Sequence, residues 1–153
     1  MKTRVGPELE PILAKLLEEQ RFAVLSTQGE AGPYASLVAY TLVGGLHTLV
    51  FATPRESRKV ANLRAEPRVA LLIDNASNDP RDLQKSTAIT ALGTAAEASP
   101  EHLAELRAAY VKRHPYLEAF VADQGTALVQ VEVTSYIVVG PFQQVREVVL
   151  PKG

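Results

Sequence analysis

Residues 51–63 read FATPRESRKVANL, and this stretch decides both the fold and the candidate site. Its apolar beginning is typical of a β-strand that ends at Thr53, and a short loop separates that strand from a helix. Ser57 is a good N-cap residue for the helix, and Val60 lies on its apolar face. We therefore predict a strand–loop–helix unit whose helix begins after Ser57 and ends before Pro67.

The start of this helix is a candidate phosphate site. The first backbone N–H groups of a helix lack partners within the helix and carry the positive end of its dipole, so helix starts bind phosphate. Arg58 and Lys59 add two positive charges at an end where cations are unfavourable unless an anion offsets them. Thr53 and Ser57 supply hydroxyl donors, Arg58 a bidentate fork and Lys59 a point charge, which suits a phosphomonoester. A solvated basic loop paired with nearby glutamates is the alternative.

Two strands are expected before this unit, which form a three-stranded segment with the strand of the unit itself, and a helix is expected before them. Apolar side chains recur at helical spacing over residues 9–17, with charged residues between them, and predict an amphipathic helix. Short turns containing glycine then separate segments that alternate like strands, which is typical of an antiparallel meander. These segments are residues 22–27, 34–42 and 46–52.

Strands and helices continue in the second half of the chain. Residues 75–85 are almost entirely polar and predict a surface loop, which is long enough to be mobile or to cover a site. Gly93 lies inside a predicted strand, where glycine marks a bulge or the close approach of another backbone. The predicted strands are residues 69–73, 87–98, 127–139 and 145–150, and the predicted helices run from Pro100 to about His114, with Ser99 as N-cap, and over 116–122.

This order of elements indicates a mainly β fold. About six strands, mostly joined by short turns, with helices at the start, in the middle and after the fifth strand, predict an antiparallel β-barrel with peripheral helices. A doubly wound parallel sheet needs regular strand–helix alternation, which this sequence lacks. With 153 residues, the chain is expected to form one domain over residues 1–153.

Composition narrows the functions that the chain can have. The absence of cysteine excludes disulfides, thiolate metal sites and cysteine nucleophiles, so any redox chemistry must come from a cofactor. A formal net charge of −1 disfavours nucleic acid as a partner, and no apolar run approaches the length of a membrane span. Residues 1–4, MKTR, lead into a charged amphipathic stretch in place of the uninterrupted apolar region of a secretory signal, so a cytoplasmic location is expected.

We predict structural roles, and not metal or ligand binding, for the histidines and for one group of aromatic residues. The histidines lack the spacing of metal ligands, so no metal site is expected and each is assigned a surface or capping role. They are His47, His102 and His114. Tyr110, Tyr116 and Phe120, at near-helical spacing, are more typical of core or interface packing than of a ligand cage.

Residues 33–74, PYASLVAYTLVGGLHTLVFATPRESRKVANLRAEPRVALLID, resemble the core of the pyridoxamine 5′-phosphate oxidase-like split-barrel family, whose members bind flavin mononucleotide (FMN). The resemblance implies an antiparallel split β-barrel. It implies that the ribityl phosphate is held by four residues, Thr53, Ser57, Arg58 and Lys59. It also implies that the isoalloxazine ring is lined, through backbone and side-chain contacts, by Ala35, Ser36, Leu37 and Val38.

The same resemblance implies a homodimer with two flavins at the subunit interface, so that part of each site comes from the partner. Candidates for that contribution lie in the C-terminal run SYIVVGPFQQVREVVL, and they are Gln143, Gln144 and Arg146. The chain departs from the oxidases that act on pyridoxamine phosphate, because it has no tryptophan and lacks their basic, aromatic C-terminal segment. The glutamine that those oxidases present from the fifth strand is also missing from STAITALGTA, residues 86–95. Cofactor binding is therefore carried over, and the specific reaction is not.

The leading functional hypothesis is an FMN-dependent oxidoreductase. The cofactor would take hydride from a reduced nicotinamide or similar donor and pass it to a small acceptor, while the protein supplies binding and orientation. Two alternatives stay open, which are a haem-handling split barrel and a flavin-binding electron carrier without catalysis. A nucleic-acid binder is disfavoured, because no aromatic residues are interleaved with the basic ones.

Overall fold

A computed structural model describes residues 2–4, 9–141 and 144–152 of the chain. The strands are β1 (Lys2–Arg4), β2 (Phe22–Gly29), β3 (Gly32–Val43), β4 (Thr48–Pro54), β5 (Arg68–Asp74), β6 (Ala88–Glu97), β7 (Thr126–Val139) and β8 (Val145–Val149). The helices are α1 (Glu10–Glu19), α2 (Arg58–Ala65), α3 (Asp82–Lys85), α4 (Pro100–Arg113) and α5 (Glu118–Ala122), with a 3₁₀ turn at Pro115–Leu117. No helix in this described part is long and apolar enough to cross a membrane.

Six strands close into a barrel. They pair in the order β7, β4, β3, β2, β5 and β6, and β6 pairs again with β7. All six ladders of the barrel are antiparallel, and they are β7–β4, β4–β3, β3–β2, β2–β5, β5–β6 and β6–β7. The long strand β7 extends beyond the barrel, where β8 pairs with it antiparallel and β1 pairs with β8 in parallel. The prediction of a mainly β split barrel with peripheral helices is confirmed.

Two apolar clusters hold the barrel together. The larger one fills the barrel and includes Tyr40, Phe51 and Tyr136, all fully buried. The hydroxyl of Tyr40 donates to the carbonyl of Leu17 in α1 at 2.6 Å, so the helix is tied to the core by a hydrogen bond as well as by its leucines. The smaller cluster lies outside the barrel, where α4 and α5 pack against β4 and β7. Because α4 covers only part of the outer surface, the rest of that surface stays open.

The helix predicted from Ser57 and Pro67 is present in the structure as α2. Helix α2 begins at Arg58, and the backbone N–H of Val60 donates to the Ser57 hydroxyl at 3.4 Å, as expected of an N-cap. The helix ends at Ala65, before Pro67. Two expectations need correction. The segment 75–85 is not loop throughout, because its last four residues form α3. Residues Lys2–Arg4, for which no strand was predicted, form β1.

Gly93 lies where β6 closes against β7, and the predicted bulge is present between Leu92 and Gly93. A Cβ atom at Gly93 would lie 2.2 Å from the backbone oxygen of Glu132. We expect Gly93→Ala to destabilise the protein by about 1–3 kcal/mol, because the backbone of β7 must move to admit a methyl group. Urea unfolding checks this, with Gly140→Ala as the control, because a Cβ atom there would meet no atom closer than 4.0 Å; equal stability of Gly93→Ala and the unmodified protein would contradict the assignment.

Candidate functional site

The barrel is split between β3 and β4. These strands pair only from Tyr40, opposite Phe51, to Val43, opposite Thr48. Beyond Tyr40, the first half of β3 stays paired with β2, while the end of β4 stays paired with β7. The two strands therefore diverge and open a groove between them, which we call the split groove.

Tyr110 of α4 bridges the strands at the point where they separate. Its hydroxyl donates to the carbonyl oxygen of Ala39 in β3 at 3.0 Å. The backbone N–H of Ala52 in β4 donates to the same hydroxyl oxygen. Burial raises the pKa of Tyr110 to about 12, so the hydroxyl keeps its proton and remains a donor near neutral pH. The hydroxyl thus occupies the position of a missing ladder rung and holds the strands apart.

The free edge of β3 presents backbone donors and acceptors to the groove. The N–H of Tyr40 donates to Arg21 on the β2 side at 3.2 Å. Because successive residues of a strand point their backbone groups to opposite sides, the N–H and C=O groups of Ala35 and Leu37 point toward the split. The described register pairs β4 with neither residue. The groove therefore offers hydrogen-bonding partners along one edge.

An aromatic and apolar wall faces that edge. The split groove has a volume of about 310 Å³, and its wall includes Tyr110, Tyr116 and Phe120 from the helical segment after β6. Leu37, whose side chain is 68% exposed, and Phe22, 50% exposed, lie at its mouth. Such a surface suits a flat aromatic ligand.

One end of the split groove is polar. Thr53 is buried there, with its hydroxyl oxygen 3.4 Å from the Ser57 hydroxyl, and Lys59 is the one charged side chain in the described lining. Partial burial lowers the pKa of Lys59 below its usual value. No carboxylate of the described residues forms an ion pair with it. A half-buried ammonium group without a counter-ion among the described residues, beside a helix start and two hydroxyls, supplies the donors and the positive charge that an anion requires.

Arg58 lies on the opposite side of the first turn of α2. Its guanidinium stands over the ring of Tyr34, 5.2 Å from the ring centre, and not in the lining of the split groove. Like Lys59, it has no ion pair within the described residues. The proposed pairing of these two cations with nearby glutamates is therefore wrong, since Glu66 pairs with Arg68 at 2.8 Å.

The predicted ring-binding segment of β3 is placed in part. Leu37 and Val38 line the split groove, and Ala35 lies further along the same free edge. Ser36 shares the inward face of Val38, and its hydroxyl oxygen is buried without a hydrogen-bond partner. Four predicted residues thus lie at or beside the groove, with Ser36 turned away from its lining.

Two of the three predicted contributors to a partner's site are described, and they lie at the start of the last strand, outside the groove. Gln144 and Arg146 are exposed at β8 and do not line the split groove of their own chain. Gln143 lies outside the described residues. Their role toward a second copy stays a prediction.

His114 and Tyr116 form a pair at the groove that sequence reasoning missed. His114 was assigned a surface or capping role, and its backbone does cap α4, but its side chain is fully buried. Its Nε2 lies 2.6 Å from the carbonyl oxygen of Tyr40, which only accepts, so Nε2 carries the proton. Nδ1 therefore accepts from the hydroxyl of Tyr116 at 3.2 Å. No group of acidic residues and histidines in the described part of the chain is arranged to hold a metal ion.

Burial of His114 makes stability depend on pH. Burial lowers the pKa of His114, so the unfolded chain binds the proton more readily than the folded protein. Stability is then fully present above the unfolded pKa of about 6.5 and decreases as the pH falls through that value toward the folded pKa. Urea unfolding at pH 8 and pH 5.5 checks this. His114→Gln should flatten the pH dependence and His102→Gln, at the surface, should not; equal slopes in both variants would contradict the assignment.

Comparison with known proteins identifies a matching family model and several solved structures with a similar fold. The family model described as pyridoxamine 5′-phosphate oxidase matches residues 9–140. No curated protein matches the chain. A heme binding protein from Mycobacterium smegmatis has a TM-score of 0.83 at 23% identity over 95% of this chain, which spans 59% of that protein. The heme storage protein HutZ from Vibrio cholerae has a TM-score of 0.73 at 16% identity, covering 93% of this chain and all of the other.

A third similar structure is an FAD-binding protein from Mesorhizobium loti. It has a TM-score of 0.67 at 16% identity, with 87% of this chain and 92% of the other covered. At these identities the likenesses show the shared fold. This chain spans about three fifths of the mycobacterial protein, 59% of its length.

Proposed function

The chain belongs to the pyridoxamine 5′-phosphate oxidase family, and from this premise we propose that it binds a flavin in the split groove. The observation that carries the proposal is the anion site at the polar end of an otherwise apolar, aromatic groove. A flavin has a flat aromatic ring at one end and a phosphate at the other. The groove has an aromatic, apolar wall and, at one end, Thr53 and Lys59, so its surfaces match those of a flavin.

The edge of β3 fits the isoalloxazine ring. The free backbone groups of Leu37 and Ala35 would supply a donor and an acceptor for the polar edge of the ring, and Tyr116 and Phe120, which line the groove, would face its apolar part. The ring thus replaces the ladder partner that β3 lacks. Because backbone groups make these contacts, we expect substitution of the Ala35 or Ser36 side chain to change flavin affinity little.

The start of α2 fits the phosphate. The hydroxyls of Thr53 and Ser57, the ammonium of Lys59 and the free backbone N–H groups converge there. Arg58 approaches the same turn from its other side. The smallest flavin with this phosphate is FMN, and the FMN unit is what the split groove is proposed to hold.

The proposed activity is that of a flavin-dependent oxidoreductase. A flavin supplies hydride transfer, for which binding geometry and stacking matter most. The residues of this chain orient the ring on the edge of β3 and exclude water with the aromatic wall. Steady oxidation of a reduced nicotinamide by the flavin-loaded protein would distinguish this activity from that of an electron carrier without catalysis.

We also propose that the working unit is a homodimer. Leu37, Val24 and Leu72 lie side by side across β3, β2 and β5 on the outer face of the barrel, and Leu72 is 41% exposed. A row of apolar side chains on an open sheet face favours a protein interface. Phe22 and Leu37 belong to both this face and the mouth of the split groove, so a second copy on the face would cover the flavin.

Tyr110→Phe tests the part that the split plays in binding. The change removes two hydrogen bonds that hold β3 and β4 at their separation, so we expect flavin affinity to fall about 5- to 100-fold. Fluorescence titration with FMN measures it. Tyr136→Phe is a matched control, because it deletes a buried hydroxyl that donates to Leu46 at 2.6 Å, away from the groove. Equal losses of affinity in both variants would mean that Tyr110 acts through stability alone.

Haem is the second candidate ligand, and the Tyr116–His114 pair favours it. A tyrosine hydroxyl can ligate haem iron, and a hydrogen bond to a second group orients such a ligand and tunes it. Tyr116 is 60% exposed at the groove, and its hydroxyl donates to Nδ1 of His114, which can accept the hydroxyl proton when the oxygen binds a metal. Two of the similar structures are described as heme-binding and heme-storage proteins.

Titration with ferric haem separates the two candidates. If haem is the ligand, the protein develops a Soret band at one equivalent, and Tyr116→Phe loses it. If flavin is the ligand, Tyr116→Phe keeps FMN binding and no stoichiometric Soret band develops. A Soret band that survives in Tyr116→Phe would exclude the tyrosine as the iron ligand.

A further inference from the structure

Arg55 lies in the middle of the segment that is proposed to bind the flavin phosphate, yet it is not part of the described lining of the split groove. We call this segment, residues 53–59, the phosphate turn. The side chain of Arg55 reaches Glu97, the last residue of β6. The charge of Arg55 is therefore engaged by the protein itself, in contrast to that of Lys59 in the same turn.

The guanidinium of Arg55 is held by four hydrogen bonds to two separate segments. Its Nε and Nη2 donate to the same carboxylate oxygen of Glu97, at 3.1 and 2.7 Å. Nη1 donates to the carbonyl oxygen of Gln124, and Nη2 also donates to that of Thr126 at 3.4 Å. The backbone N–H of Arg55 donates to the carbonyl oxygen of Gly125 at 2.7 Å. Arg55 thus ties the phosphate turn to the end of β6 and to the start of β7.

Packing fixes only part of the position of α2 against these strands. A depression of about 240 Å³ separates the helix from β6 and β7. Val60 and Leu63 line it from the helix, Ala95 and Val129 line it from the strands, and Glu97 completes the lining. Because a depression supplies no protein atoms for contact, the bridge from Arg55 to β6 is needed on this side.

The other side of α2 is anchored independently of Arg55. The side-chain amide of Asn62 donates to the hydroxyl of Thr27 in β2 at 3.1 Å, and both residues are buried. A Cβ atom on Gly29 would lie 2.2 Å from the Asn62 oxygen, so β2 and the helix are in direct contact there. Loss of the Arg55 bridge therefore leaves α2 attached to β2 and frees the phosphate turn.

Arg64 provides an internal comparison for Arg55. It lies in the last turn of α2, and its Nη2 donates to the other carboxylate oxygen of Glu97 at 3.4 Å. Its side chain is 58% exposed, against 39% for Arg55, and no backbone carbonyl of the described residues accepts from it. Arg64 therefore shares the carboxylate but lies at the end of the helix that is remote from the phosphate turn.

We propose that Arg55 is a positioning residue, whose bridge to Glu97 holds the phosphate turn in the geometry that binds phosphate and so makes the site prefer FMN to riboflavin. The proposal rests on flavin binding in the split groove. Donors that are already held in place lose less conformational entropy when a ligand binds. An exposed ion pair contributes little to folding, so the effect is expected on the phosphate turn and not on the stability of the barrel.

Fluorescence titration with FMN and with riboflavin, which lacks the phosphate, tests the proposal. Arg55→Lys keeps the charge and loses the fork, and we expect it to weaken FMN binding about tenfold and to leave riboflavin binding unchanged. Glu97→Ala should weaken FMN binding by a similar factor, although it removes a negative charge from the neighbourhood of the phosphate. Arg64→Ala, the matched control, should change the affinity for neither flavin.

The direction of the Glu97→Ala effect separates positioning from a long-range effect of charge. Unchanged or tighter FMN binding in Glu97→Ala would overturn the proposal, because a field effect alone predicts that result. An equal loss of affinity for FMN and riboflavin in the variants would also overturn it, since a general structural defect does not depend on the phosphate. Equal affinities of the unmodified protein for the two flavins would overturn this inference and leave flavin binding intact. If the unmodified protein binds neither flavin, the proposed function fails together with the inference.

Discussion

Replacing Arg58 and Lys59 together with alanine is expected to weaken flavin binding by several orders of magnitude and to leave the fold intact. Both side chains stand at the first turn of α2 without an ion pair in the described structure. A charge-assisted hydrogen bond contributes about 1.5–3 kcal/mol, so losing two weakens binding by about 10²- to 10⁴-fold. The helix itself gains, because cations at its start are unfavourable and alanine is the best helix former.

Fluorescence titration and thermal unfolding of the same samples measure both parts of this expectation. Arg64→Ala with Arg68→Ala is the matched control, since it removes the same charge from the end of α2 and the residues after it. These two arginines pair with Glu97 and Glu66, so flavin affinity should stay unchanged in the control. A folded Arg58→Ala/Lys59→Ala protein that binds flavin as tightly as the control would contradict the phosphate assignment.

The second large effect is expected at the outer face of the barrel. Leu72→Glu should convert the proposed dimer to a monomer, because two-fold symmetry places one unpaired carboxylate from each copy in an apolar interface. Burying such charges weakens association by at least about 100-fold. Light scattering coupled to size-exclusion chromatography measures the mass directly. Flavin affinity should fall in parallel, since Phe22 and Leu37 border both the face and the split groove.

Leu83→Glu controls for the charge, because Leu83 is an exposed leucine in α3, outside the row formed by β3, β2 and β5. It should leave the mass unchanged. An unmodified protein that is monomeric at micromolar concentration, or a Leu72→Glu protein that stays dimeric, would contradict the assignment of this face.

Local signals explain what could be predicted from the sequence. Ser57 before a short apolar stripe and Pro67 beyond it mark α2, because N-caps and proline act within a few residues. Gly93 marks the bulge in β6 for the same reason. The missed strand Lys2–Arg4 has no such signal, since three residues carry no period and its pairing with β8 joins opposite ends of the chain.

Long-range contacts explain what the sequence left open. Tyr110 meets Ala39 across 71 positions, and His114 meets Tyr40 across 74, so no spacing in the chain indicates the bridge or the buried pair. Arg58 and Lys59 form one basic cluster in the sequence, yet a helix turns consecutive residues by about 100°, and the two side chains enter different depressions. The residue types at the start of α2 were recognisable, and the division of Arg58 and Lys59 between two depressions was not.

The most direct test of flavin binding is the visible absorption spectrum of the purified protein, as isolated and after incubation with FMN or FAD followed by desalting. The proposed anion site and the free edge of β3 predict the two bands of oxidised flavin, retained at close to one flavin per chain. A protein that retains no flavin after desalting, or that shows a Soret band in its place, would contradict the assignment of flavin to the split groove.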